Sequence, residues 1–145
     1  MMYLVDTNVL IYAVNTSAPH HERSRSWLDR SLSGDATVAF SWVALLAFVR
    51  LVTKTEVFAS PLSTDTALER VEAWISAPTA VVVEPTSRHA RILASLLTPL
   101  GTAGNLTNDA HLAALAIEHH CTVVSFDTDF ARFNDVSWQL PESRT

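Results

Sequence analysis

Four aspartates hold the chemistry that this sequence could perform. Asp6 follows the apolar run Tyr3-Leu4-Val5. Asp127 and Asp129 follow Thr122–Phe126, a second run of strand-forming residues. Asp109 stands in the first turn of an Ala-rich helical stretch, after the Gly101–Thr107 loop. In open sheets of parallel strands, sites form beyond the carboxyl ends of the strands, which is where three of these acids fall. If the two strands are neighbours, the carboxylates converge. Two such charges 4 Å apart repel by about 4 kcal/mol at an effective dielectric of 20. A fold tolerates that when a cation normally sits between them or when they share protons. Oxygen ligands without His or Cys suit Mg²⁺ or Mn²⁺, ions that serve phosphodiester hydrolysis. Each acid also has a bland role. Asp109 favours a helix dipole, Asp127-x-Asp129 fits an Asx turn, and Asp129 could cap the turn over Phe130–Phe133. Asp6 is the hardest to explain blandly, because Thr7 could cap the helix that follows.

The elements needed to position these acids are legible as alternating strands and helices. Strands are expected at Tyr3–Val5, Thr37–Phe40, Ala80–Val83 and Thr122–Phe126, with a late edge strand at Val136–Trp138. Helices are expected at Val9–Val14, Ser24–Leu32, Trp42–Thr53, Thr64–Ile75, Ser87–Leu97 and Asn108–His120. Strand–helix alternation implies right-handed crossovers and a mostly parallel sheet of four to five strands flanked by helices. At 145 residues with 48% hydrophobic composition, one domain spanning 1–145 is expected.

Composition adds limits. A single cysteine, Cys121, suits a reduced, cytoplasmic setting and reads as a packing residue. No stretch approaches the ~20 apolar residues of a membrane span, and the amino terminus lacks the pattern of a signal peptide. The net charge of −5 is opposite to the usual nucleic-acid signature, so contact with a polyanion must use local arginines, bound cations or a partner. Arg23, Arg25 and Arg30 form one local basic cluster, readable as a solvated face or as a phosphate-tracking rim. His20-His21-Glu22 reads as a solvated helix start, because adjacent side chains rarely meet at one ion. His111, His119 and His120 share the Asp109 helix and read as surface or packing residues. The apolar faces around Trp42–Phe48 and Trp74 suit a dimer or partner groove.

Leu4-Val5-Asp6-Thr7-Asn8-Val9-Leu10-Ile11 resembles the first motif of PIN-domain proteins. Asn108-Asp109-Ala110-His111-Leu112-Ala113-Ala114-Leu115-Ala116 resembles their central acidic motif. Val124-Ser125-Phe126-Asp127-Thr128-Asp129-Phe130-Ala131-Arg132-Phe133 resembles their last. Ser41–Arg50 is similar to a helix of the VapC toxin branch. The resemblance implies a three-layer PIN-like α/β domain and a Mg²⁺-dependent endoribonuclease, with Mn²⁺ as a possible substitute. It implies a VapB-like antitoxin partner, an RNA substrate such as tRNA or rRNA, and a homodimer. Carried over by position, it assigns catalysis to Asp6, Asp109, Asp127 and Asp129, with Asp6, Asp109 and Asp127 as metal ligands. Thr7, Asn8 and Ser125 match polar positions that orient the carboxylates. One departure stands out: many relatives carry a Glu in the central helix where this chain has Ala47, and no acid lies between Asp35 and Glu56. A catalytically weak or inactive RNA- or antitoxin-binding protein of the same fold is therefore the alternative. An aspartyl-phosphate enzyme fits less well, because Asn8 replaces the second acid after strand one and the sole lysine, Lys54, falls at a helix end.

Overall fold

The computed structural model describes residues 1–56 and 58–142. Five strands form one sheet: β1 (Met2–Val5), β2 (Thr37–Phe40), β3 (Ala80–Val82), β4 (Thr122–Val124) and β5 (Trp138–Gln139). Their spatial order is β3-β2-β1-β4-β5, and every pairing is parallel. The chain builds outward from β1 to one edge, then returns to lay β4 on the other side of β1. That reversal opens a crevice between β1 and β4 at their carboxyl ends.

Among the described residues, six α-helices cover the sheet: α1 (Thr7–Val14), α2 (His21–Ser33), α3 (Trp42–Val52), α4 (Thr64–Ile75), α5 (His89–Leu97) and α6 (Thr107–His119). The expected helices and strands all occur, with ends shifted by a few residues. The late edge strand falls at Trp138–Gln139 rather than Val136–Trp138, and the expected loop before α6 contains a short 3₁₀ turn over Gly104–Leu106. Among the described residues, no helix is long and apolar enough to cross a membrane.

Side-chain alternation along the strands supplies two cores. Val5, Val38, Phe40 and Val124 face α1–α4, where Leu10, Leu45 and Phe48 are fully buried. Leu4, Ala39 and Val123 face α5 and α6, whose small residues Ala110, Ala113, Ala114 and Ala116 let the helix pack close. The result is a three-layer α/β/α domain. Cys121 packs in this second core, and burial pushes its thiol up to about 11, so it rests as a neutral packing group.

Caps set where the helices begin. Ser41 and Ser63 adopt extended backbone, and their hydroxyls accept from the N–H groups of Ala44 and Thr66, at 3.3 and 3.1 Å. Asp6, not Thr7, caps α1: its carboxylate accepts from the Thr7 N–H at 2.7 Å. Thr7 lies inside the first turn, and its hydroxyl donates to the Ala44 carbonyl of α3 at 3.1 Å. Ser41 is 1% exposed, so its lost bond would not be replaced by water. Ser41→Ala should therefore destabilise the protein by about 1 kcal/mol or slightly more. Urea unfolding would show a lower midpoint with an unchanged slope.

Candidate active site

The register of β1 against β4 assembles the site. Val5 pairs with Val124, and the Asp6 N–H donates to the Val124 carbonyl at 3.0 Å. Asp6 and Ser125 thus leave their strands side by side. Ser125 is fully buried, and its hydroxyl donates to Asp6 Oδ2 at 2.7 Å. The Ser125 hydroxyl oxygen in turn accepts from the Asp127 N–H at 2.9 Å and lies 3.0 Å from the Asn8 amide nitrogen. Asn8 also reaches Asp6 Oδ2 at 3.4 Å, and its carbonyl oxygen accepts from the Phe126 N–H at 3.1 Å. One polar network therefore binds Asp6, Asn8, Ser125 and the backbone leading to Asp127. Thr7 contributes through its backbone to Asp6 and through its hydroxyl to α3.

Asp127 begins a 3₁₀ turn over Thr128–Arg132 and accepts from the Asp129 N–H at 2.9 Å. This is the Asx turn expected from the spacing, formed beside the other acids rather than instead of them. Asp129 does not cap the turn; Asp127 does. α6 delivers Asp109 from the opposite side. Carboxylate oxygens of Asp109, Asp127 and Asp129 come within 4.8 Å of one another, and all three residues are half-buried. Asp6 lies outside that tight trio. It is deeper, 8% exposed, and supported by its own donors.

The charges respond to this crowding. Asp109 is pushed up to about 7, first by burial and then by the charges of Asp127, Asp6 and Asp129. Asp6 is also raised, chiefly by burial, with Ser125 and the Thr7 N–H opposing and Asp127 adding to the rise. A hard divalent cation suits this donor set: the ligand atoms are carboxylate oxygens, they can share one ion, and their mutual repulsion is what such an ion removes.

A cleft of about 410 Å³ opens over Asp6 and Asp109. Asp6, Asp109 and Asn108 supply polar lining, while Val43, Leu46, Ala47 and Arg50 form the α3 wall. Ala47, at the position of the missing acid, does face this cleft, and so does Arg50 one turn later, the last residue of the Ser41–Arg50 stretch. Glu56 is exposed beyond the end of α3 and does not line it.

Other candidates resolve differently. Arg23 donates to the Pro141 carbonyl and lies over the Phe126 ring, while Arg30 donates to the Glu142 carbonyl. Arg25 pairs with Glu22 and Asp29. The basic cluster is therefore engaged in structure rather than forming a phosphate rim. His21 contacts the Tyr12 carbonyl, and His20 stacks on Phe126, so these histidines do not form a metal pair. His111 does have a partner: its Nδ1 lies 2.9 Å from Nε2 of His89, whose other nitrogen faces the buried carboxylate of Glu118. Thr86 donates to Glu118 through both its N–H and its hydroxyl. Residues scattered over Thr86–Glu118 leave no periodic mark, and only the rarity of a buried Glu on an apolar helix face hinted at this cluster. Burial opposes the ionised form of Glu118, but bonds from Thr86 and His89 outweigh it and hold the carboxyl below the usual range.

Comparison with known proteins places this geometry. A PIN-domain profile matches residues 3–136. Ribonuclease VapC37 of Mycobacterium tuberculosis is 56% identical over 140 residues, 97% of each chain. Ribonuclease VapC33 of the same species is 40% identical over 97% of this chain and 98% of its own. Among solved structures, VapBC2 from Rickettsia felis, bound to a DNA fragment from its promoter, matches with a TM-score of 0.73 at 20% identity, over 98% of this chain and 100% of that one. M. tuberculosis VapC20, a toxin that cleaves the sarcin-ricin loop, matches at 0.63 and 17% identity, over 93% and 98%. The chain belongs to the PIN-domain family, within its VapC ribonuclease branch.

Two pH dependences follow. Asp109 has a folded value near 7, above the ordinary 3.8. Its contribution to metal-free stability is thus full below pH 3.8 and is lost as pH rises through 7. Asp109→Asn should raise metal-free stability at pH 8 by about 1–2 kcal/mol, after discounting for solvent screening, and by little at pH 4. Melting curves in EDTA at the two pH values test this; a variant less stable than wild type at pH 8 would contradict clustered repulsion. Glu118 has the opposite sign. Its stabilisation is present above the ordinary 4.5 and lost as pH falls through the lowered folded value. Glu118→Gln should flatten the acid limb of stability against pH, read by urea unfolding between pH 3 and 6.

Proposed function

We propose that the chain is a Mg²⁺-dependent endoribonuclease, with Mn²⁺ able to substitute, and the toxin of a VapBC-type pair. The carrying observation is the convergence of Asp109, Asp127 and Asp129 beside an open cleft that Asp6 and Asp109 line. Asp109 and Asp127 would hold the ion, with Asp6 completing the set directly or through water and Asp129 supporting it. A divalent ion there supplies charge neutralisation at the phosphate and eases formation of a nucleophile from water. The chain's own residues prepare the site. Ser125, Asn8 and the Thr7 N–H hold Asp6 in one orientation, and Ser125 fixes the backbone that presents Asp127. This preorganisation fixes Asp6 and the backbone that carries Asp127 before substrate arrives.

The names of the VapC relatives support RNA as the substrate class, with tRNA or rRNA as the expected target. A VapB-like antitoxin is the expected partner, as in the VapBC complexes of similar fold. Trp42, Val43 and Leu46 leave an apolar strip exposed on α3 beside the cleft, at 43%, 38% and 61% exposure, which suits a protein partner. A homodimer completes the reading.

Antitoxin-free protein incubated with labelled RNA should cleave only when Mg²⁺ or Mn²⁺ is present. Asp109→Asn should lower kcat by about 100-fold or more, because it removes a direct ligand. RNA or antitoxin binding without metal-dependent turnover would instead favour the non-catalytic reading that Ala47 raises.

A further inference from the structure

The nuclease reading leaves a charge problem. RNA is a polyanion, the protein carries −5, and the cleft wall already holds Asp6 and Asp109. An ion at the carboxylates compensates the scissile phosphate, but the neighbouring phosphates still approach acidic protein. The arginines that a sequence pattern suggested for this task are engaged elsewhere: Arg23 and Arg30 grip backbone carbonyls, and Arg25 pairs on its own helix.

Arg50 is placed differently. It lies on α3 with Val43, Leu46 and Ala47, at the i, i+3, i+4 and i+7 spacing that puts all four on one helix face. That face is the cleft wall. Among the described residues, Arg50 is the one cation in the lining, and no carboxylate lies within ion-pair distance of it. Its place in the last turn of α3 favours the helix dipole, which accounts for a basic residue there but not for its facing the cleft. Ala47 matters here. An acid at 47 would sit three residues before Arg50 and pair with it. Alanine leaves the guanidinium free and the α3 wall without negative charge. A guanidinium matches phosphate oxygens through two parallel N–H bonds.

We propose that Arg50 is a substrate-binding residue that holds a backbone phosphate of the RNA next to the scissile one, on the α3 side of the cleft. This rests on the nuclease reading above. The role is electrostatic and sequence-independent: it positions the strand and reads no base.

The test is steady-state cleavage of a single-stranded RNA oligonucleotide in Mn²⁺ by wild type, Arg50→Ala and Arg50→Lys, repeated across salt concentrations. Mn²⁺ affinity without RNA is measured by calorimetry on each. Arg50→Ala should raise KM about tenfold, the value of one charge-assisted contact, with kcat little changed. The slope of log(kcat/KM) against log[salt] should become shallower by about 0.7, one single-strand phosphate. Arg50→Lys should keep the salt slope but recover only part of KM, because an ammonium lacks the planar fork. Mn²⁺ affinity and melting temperature should match wild type in both, since Arg50 is exposed. An Arg50→Ala enzyme with wild-type KM and salt slope overturns this proposal while leaving the nuclease reading intact. A fall in Mn²⁺ affinity also overturns it, by placing Arg50 with the ion. A wild type that cleaves no RNA removes the nuclease reading, and this assignment with it.

Discussion

The parallel pairing of β1 with β4 is the constraint on which the site depends. These strands are remote in sequence: the Ser125 hydroxyl and the Asp6 carboxylate that it bonds are 119 residues apart. Once Val5 lies opposite Val124, the next residue of each strand must meet its counterpart, and every further contact follows from that juxtaposition. Asn8, the second residue of α1, then reaches across to both Ser125 and the Phe126 N–H. α6 is laid over the same two strands by an Ala-rich face that permits close approach, and its first turn brings Asp109. A slip of one residue in the β1–β4 register would turn Asp6 to the other face of the sheet and dissolve the arrangement.

The four aspartates are not equivalent, and the difference lies in where their donors are. Asp6 is the most buried, yet it has a backbone N–H, a hydroxyl and an amide directed at it. Asp127 and Asp129 are linked by a hydrogen bond from the Asp129 N–H to the Asp127 carboxylate that fixes their spacing. Asp109 has little such support, so burial and its acidic neighbours act on it with less opposition, and it is the acid raised to about 7. Acids held rigidly by donors face one that is held mainly by helix geometry. Such an arrangement lets one side of an ion's shell be fixed and the other be adjustable.

Much of the fold was legible because it rests on local patterning. Runs such as Thr37–Phe40 and Thr122–Val124 are β-branched or apolar on both faces, as buried parallel strands must be. Pro78 and Pro99 each follow within three residues of a helix end, at Ile75 and Leu97. Asp6, Asp109 and Asp127 were legible as site candidates because each follows a strand or opens a helix. Partner choice over long separations was not legible. Thr7 and Asp6 are both good caps, and only the docking of Thr7 onto the Ala44 carbonyl decides between them. Arg23, Arg25 and Arg30 look alike in sequence, but Arg25 pairs on its own helix while Arg23 and Arg30 bond a segment more than a hundred residues away. The Glu118–His89–His111 chain joins two helices and the loop before them, and no periodicity announces it.

The contacts of Arg23 and Arg30 with the carbonyls of Pro141 and Glu142 make the segment after β5 a strap across α2. Both arginines grip main-chain oxygen, which every residue type provides. At the exposed Glu142 these bonds leave the side chain loosely constrained, whereas Pro141 is buried and its ring must fit as well. The path and length of the strap are fixed by both bonds, and a deletion there would strand two guanidinium groups beside Phe126 and α2.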